Sequence, residues 1–167
     1  MDPSGHSGSG MRVRHATPSD AAALGRLGGL LLRAHYGFDP QRFMAPPLRG
    51  GDEGYGRFLV SQLDEEDVAV LVAEQDGEVC GYVYAGLEPR SWRELREAAG
   101  FVHDVAVDEA ARGAGVGTAL VEAAVVWLRT HGAPRVILWT AERNPAAQRL
   151  FAKLQFRRTM IEMTREL

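Results

Sequence analysis

Apolar positions along this chain switch repeatedly between a period of two and a period near 3.6, and each switch marks a change of element. "MRVRHA" alternates and predicts a first strand. Thr17-Pro18-Ser19-Asp20 then supplies capping side chains and an early proline, a helix start, and Leu24, Leu27, Leu31 and Ala34 follow at helical spacing. Residues 36–56 carry Pro40, Pro46 and Pro47 with several glycines and read as a long loop, either a binding segment or an irregular connection. A short helix is expected from Tyr55 to Leu63, ending at the solvated acidic run Asp64-Glu65-Glu66-Asp67, which near a pocket would attract cationic substrates. "VAVLVAEQDGEVCGYVYAGL" is a hairpin whose two β-rich runs flank the tight-turn pair Asp76-Gly77. "EPRSWRELREAAG" is polar, with room for one or two helical turns anchored by Trp92 and Leu95. "FVHDVAVD" is a strand, and the helix after Gly117 carries Leu120, Ala123, Ala124 and Trp127 on one face and stops at Gly132. "RVILWT" reads as a buried strand. Asn144-Pro145 opens a last helix with Ala147, Leu150, Phe151 and Leu154 in phase, and "FRRTMIEMTREL" closes as one strand or two.

No internal repeat interrupts this order. Hairpin and crossover connections together imply an α/β layered fold with a mixed sheet. The 167 residues suit one domain with its own core. A formal charge of -3, from 19 basic and 22 acidic residues with no basic run, argues against nucleic acid as a partner. No apolar run is long enough to span a bilayer, so a membrane is not expected either. The lone cysteine, Cys80, excludes an intramolecular disulfide and fits a reducing compartment; on an alternating strand it reads as a small buried side chain. Residues 1–10, "MDPSGHSGSG", have no hydrophobic stretch and read as a disordered tail or an expression remnant, leaving 11–167 as the domain, with the cytoplasm as the expected setting.

The chemistry-bearing stretch is "ARGAGVGT", between a strand and an apolar helix. A dinucleotide fingerprint needs a third glycine where Thr118 or Leu120 stands, and a P-loop needs a lysine that is absent. The physics of the turn survives both failures. Gly113, Gly115 and Gly117 allow close approach and positive φ, successive N–H groups can face one concavity, and the following helix places its positive end there. With Arg112 added, a pyrophosphate fits; simple packing of a helix on a sheet is the other reading.

Arg112-x-x-Gly115-x-Gly117 after "HDVAV" resembles the coenzyme A motif of the GNAT-type acetyltransferases. "NPAAQRLFAKLQF" from Asn144 is similar to that family's second block, and "MRVRHATPSDAAAL" and "EQDGEVCGYVYAG" match its usual opening and hairpin. The resemblance covers Met11 to Leu167 and implies a single-domain mixed, mostly antiparallel sheet of six to seven strands with helices on both faces. It implies acetyl transfer from acetyl-coenzyme A to a primary amine of a small molecule, peptide or protein, with no metal. The backbone of Val105, Ala106 and Val107 would pair with the pantetheine arm, donors near Val105 or Ala106 would polarise the thioester carbonyl, and Arg112, Gly113, Ala114, Gly115, Val116, Gly117 and Thr118 would hold the pyrophosphate. Asn144 would face the coenzyme A arm or cap the last helix.

Two residues depart from the family pattern. Phe151 stands where a tyrosine often protonates the departing thiolate, so it would serve as an apolar wall, with the acid absent or moved to Tyr82 or Tyr84. Gln155 replaces a glycine, which should alter the turn out of the last helix. His103 is the candidate to accept the amine proton and Asp104 the reserve, and strand alternation keeps them on opposite faces unless a bulge intervenes. The segments 36–56 and 88–100 should flank the acceptor cleft, with a mild preference for a cationic small amine. An acetyl-coenzyme A binding regulatory module without efficient catalysis and a different nucleotide enzyme are the competing functions; by resemblance a homodimer is compatible with the domain.

Overall fold

The computed structural model describes residues 10–167, so nearly all of the expected tail, residues 1–9, lies outside the described residues. Strand β1 (Arg12–His15) leads into α1 (Ala21–Phe38) and α2 (Gly51–Ser61); β2 (Val68–Gln75), β3 (Glu78–Glu88) and β4 (Ala99–Val107) follow; then come α3 (Val116–Thr130), β5 (Val136–Leu138) and α4 (Pro145–Lys153). The strands pair in chain order, antiparallel from β1 to β4, with β5 parallel to β4. Asp76 and Gly77, with φ of 52° and 82°, make the β2–β3 turn, the double positive φ that matches the twist of the flanking strands.

Strand alternation divides the sheet between two cores. One face places Leu71, Val83 and Val102 against Leu120, Ala124 and Leu128 of α3. The other places Val70, Val72 and Tyr82 against Leu24 and Leu27 of α1 and Leu59 of α2. Helix α1 meets α2 through glycines. A Cβ on Gly56 would lie 2.5 Å from the Ala21 carbonyl oxygen, and one on Gly25 would overlap the Asp52 carbonyl. These contacts explain why 36–56 is not one long loop. Gly56, which looks like a breaker, is where α2 touches α1, and only residues 39–50 connect the two helices.

The sheet has five strands, not six to seven. "FRRTMIEMTREL" forms no strand: its Met160, Ile161 and Met163 have no surface to pack against and all three side chains are exposed. "RVILWT" yields only the half-buried β5, and its Trp139 is 72% exposed. The 88–100 stretch is not helical, and Trp92 and Leu95 anchor nothing, being 80% and 88% exposed. Arg96 organises it instead, donating to Pro89 O at 2.8 Å and lying over the Phe101 ring at 4.7 Å. Cys80 is half-buried rather than buried.

Glycine contacts of this kind make a signed prediction. Gly25→Ala should cost about 1–3 kcal/mol through overpacking, whereas Gly37→Ala, in the same helix with open space around it, should be neutral or stabilise by up to about 1 kcal/mol. Urea denaturation of the two variants checks this; equal effects would contradict the close α1–α2 contact.

Candidate active site

Every candidate group is placed by what happens in β4. Tyr84 pairs with Asp104 but Ala85 pairs with Val102, so His103 is an extra residue, a β-bulge. The bulge flips the alternation. Val102 faces the α3 core, yet two residues on, Asp104 faces the opposite side with Ala106. His103 and Asp104 therefore share the α1/α2 face, the arrangement that regular alternation forbids.

Asp104 accepts hydrogen bonds from the hydroxyls of Tyr55, on α2, and Tyr82, on β3, the latter at 3.4 Å. Burial pushes its carboxyl up to about 6, while the two hydroxyls favour the ionised form and oppose that rise. The His103 ring lies between Tyr84 and Phe101, with centroids 4.8 Å and 5.8 Å away, and its Nε2 is 3.5 Å from Glu88 Oε1. Desolvation lowers its pKa and Glu88 acts in the opposite sense. Neither tyrosine named as a stand-in acid is free: Tyr82 is fully buried and turned to Asp104, and the Tyr84 hydroxyl donates to Gln62 Oε1 at 3.2 Å. Burial raises both phenols.

Strand β5 accompanies β4 only along Gly100, Phe101 and Val102. From His103 through Val105, Ala106 and Val107, the β5-facing edge of β4 has no strand partner among the described residues. The chain then turns at Arg112, whose Nε donates to Val107 O at 3.3 Å and whose side chain stays 59% exposed. Gly113 and Gly115 take φ of 78° and 82°, so both need the left-handed region that glycine alone enters freely. Gly117 does not; a Cβ there would stand 3.3 Å from Leu150, so its role is to let α3 approach α4. Val116 is buried in the α3-side core and pins the turn. Among the described residues, the N–H groups of Gly113, Ala114, Gly115, Val116, Gly117 and Thr118 take no backbone acceptor. Successive free donors at the positive end of a helix form an anion-binding concavity.

Asn144 caps α4, its Oδ1 accepting from Ala147 N at 3.1 Å. Phe151 is 9% exposed and meets Phe156 edge-on at 5.9 Å. The turn beyond α4 is not altered by Gln155. Phe156 N donates to Phe151 O at 3.0 Å, closing a Schellman turn, and Gln155 itself adopts the glycine-like φ of 68°. Tyr55, beside Asp104, escapes a sequence reading, while Glu88, beside His103, opens the 88–100 segment expected to flank the cleft. Tyr55 left one trace, since Gly28 opposite it has no room for a side chain. Among the described residues no group of three His, Cys, Asp or Glu could hold a metal ion, and no helix is long and apolar enough to cross a membrane.

The bulged, half-released β4 thus lies beside a glycine turn whose N–H groups have no backbone acceptor. The chain belongs to the acetyltransferase (GNAT) family, whose model matches residues 38–156. It is 39% identical over 89 residues to a mycothiol acetyltransferase of Amycolatopsis mediterranei, a match covering 53% of this chain and 30% of that protein. It is 34% identical over 110 residues to an N-alpha-acetyltransferase of Sulfurisphaera tokodaii, covering 62% and 65%. The chain thus spans less than a third of the mycothiol acetyltransferase's length. The solved structure of an aminoglycoside N-acetyltransferase in complex with CoA superposes with a TM-score of 0.71 at 18% identity, covering 100% of this chain and 99% of that one, a likeness of fold.

The buried carboxyl gives a pH signature. Its pKa is raised on folding, so the folded state holds the proton more tightly, and stability falls as pH rises from about 4, the unfolded value, to about 6. Asp104→Asn removes this penalty. The melting temperature of the variant relative to the parent should climb between about pH 4 and pH 6 and then level off; a difference independent of pH would contradict the assignment.

Proposed function

We propose that this chain is an N-acetyltransferase that moves an acetyl group from acetyl-coenzyme A directly to a primary amine of a small molecule or peptide. The observation that carries the reading is a juxtaposition: the open β4 edge runs into a cradle of unengaged N–H groups at one end and begins at the other on a bulge with two titratable side chains. Bound acetyl-coenzyme A would supply an activated thioester. Arg112 and the N–H groups from Gly113 to Thr118 would hold its pyrophosphate, and the free edge from Val105 to Val107 would pair with its amide-bearing arm. A main-chain N–H of Val105 or Ala106 would face the carbonyl oxygen and stabilise charge developing there. Asn144 orients α4 as its cap, and Phe151 forms an apolar wall.

His103 and Asp104 are the groups that can accept the amine proton. Desolvation lowers the His103 pKa against the pull of Glu88 and so favours the neutral imidazole, whose ring nitrogen can take a proton. Asp104, with a pKa near 6, is ionised at neutral pH yet more basic than an ordinary carboxylate. Phe151 offers no proton and the Tyr82 hydroxyl is turned to Asp104, so the chain works without a tyrosine acid at this position. The lone cysteine and the acetyl donor both point to the cytoplasm as the setting. Phe151 alone favours a second reading, an acetyl-coenzyme A binding regulatory module without efficient catalysis.

Thiol release from acetyl-coenzyme A across a panel of amines, amino acids, polyamines and aminoglycosides tests the choice. Release that depends on an added amine is expected; tight binding with no release from any amine would leave only the regulatory module. In the same protein Arg112→Ala should weaken acetyl-coenzyme A binding about five-fold, equivalent to about 1 kcal/mol, and more at low ionic strength than at high. A salt-independent loss would show that the side chain acts by packing instead.

A further inference from the structure

Asp104 is hydrogen-bonded asymmetrically. A carboxylate offers two oxygens, each able to accept, and an acid buried for structure alone is as a rule satisfied at both. Here Tyr55, on α2, and Tyr82, on β3, both donate to Oδ2, Tyr82 at 3.4 Å. Oδ1 receives no hydrogen bond among the described residues, and it is not sealed from solvent, since no buried side-chain polar atom among them lacks a partner. The carboxyl thus turns one oxygen inward and leaves the other open. It does so on the stretch of β4 beyond Val102, the last residue that pairs with β5.

Tyr55 is placed by the packing of α2 on α1. Its ring fills a slot at Gly28, where a Cβ would overlap it, and Phe58 lies 5.7 Å away on its own helix. The slot fixes the ring and so aims the hydroxyl at β4. Other charged groups on this face are engaged elsewhere. On α1, Arg26 pairs with Asp108 at 2.5 Å and Arg33 with Asp52 of α2 at 3.0 Å. On α2, Glu53 and Arg57 pair with each other at 4.0 Å in solvent. On β3, Tyr84 donates to Gln62, and Glu88 lies between His103 at 3.5 Å and Arg96 at 3.8 Å. His103 is the remaining titratable neighbour, held by the Tyr84 and Phe101 rings. Burial raises the Asp104 carboxyl, and no ion pair among the described residues offsets this. The two phenol hydroxyls are left to favour its ionised form.

We propose that Tyr55 is a positioning residue of the transfer reaction, holding Oδ2 of Asp104 so that Oδ1 faces the acceptor and takes its proton. The proton passes from the ammonium nitrogen to Oδ1, and the electron pair of the broken N–H bond stays on nitrogen to attack the thioester carbonyl. This rests on the acetyltransferase reading and assigns the base within it. Tyr55→Phe keeps the ring in its slot and removes only the donor. Loss of a hydrogen bond to the charged form raises the carboxyl further. The acidic limb of kcat/KM against pH, measured with an amine that supports thiol release, should therefore move up by about one pH unit, with KM for acetyl-coenzyme A little changed. A limb that stays in place would overturn the proposal and leave the acetyltransferase standing. Melting temperature reads the same hydrogen bond without turnover. The parent loses the Asp104 contribution as pH rises to about 6, and the variant should go on losing it to about pH 7. Its melting temperature relative to the parent should then be unchanged by pH in acid, fall between about pH 6 and pH 7, and level off. In the Asp104→Asn background the same substitution should give a difference independent of pH. A pH-independent difference in both backgrounds would show that Tyr55 acts by packing alone, and would overturn the proposal whatever the activity.

Discussion

One extra residue in β4 governs the arrangement of the candidate site. Without His103 as a bulge, Asp104 would share a face with Val102 and point into the α3 core, where an ionised carboxylate would have no partner. With it, Asp104 turns toward Tyr55 and Tyr82, and the imidazole stands beside it among rings. The bulge begins immediately after the last residue of β4 that pairs with β5. Pairing with β3 continues past the bulge, while the shortness of β5 leaves the other edge open. One local irregularity thus produces the pair of titratable groups and borders the open edge beside them.

The glycine turn complements this by an accounting of donors. A helix leaves its first N–H groups without acceptors wherever it begins, and most helices satisfy some with a capping side chain, as Asn144 does for α4. At α3 the cap is Gly115, in the left-handed region and with no side chain to offer. The donors from Gly113 to Thr118 are left for something else. The three glycines divide the work: Gly113 and Gly115 shape the backbone, and Gly117 sets the spacing between α3 and α4.

Much of this was legible in the amino-acid order because it is local. The Asp76-Gly77 turn, the Asn144 cap, the Arg112–Thr118 stretch and the apolar stripes of α1 and α3 are encoded within a few residues of themselves. The failures are tertiary. Gly56 in α2 looks like loop until α1 is present to need it, and the bulge could be named as a requirement for His103 and Asp104 to meet but not located by alternation alone. Tyr55 lies 49 residues from Asp104 in the chain, and no periodicity links them. The closing segment is the opposite case: its local pattern is β-like, yet Met160, Ile161 and Met163 find nothing to pack against and stay exposed. Gln155 shows that a turn can outlast the loss of its glycine, here because Phe156 still closes onto Phe151.

The claim beneath the rest is that the open β4 edge and the glycine cradle form one continuous binding surface for coenzyme A. Amide hydrogen exchange resolved along the chain, with and without coenzyme A, reads that surface directly. Slowing confined to the amides from Val105 to Val107 and from Gly113 to Thr118 is the expected result. Slowing at α1 or the β1–β2 pair, with those two stretches unchanged, would contradict it.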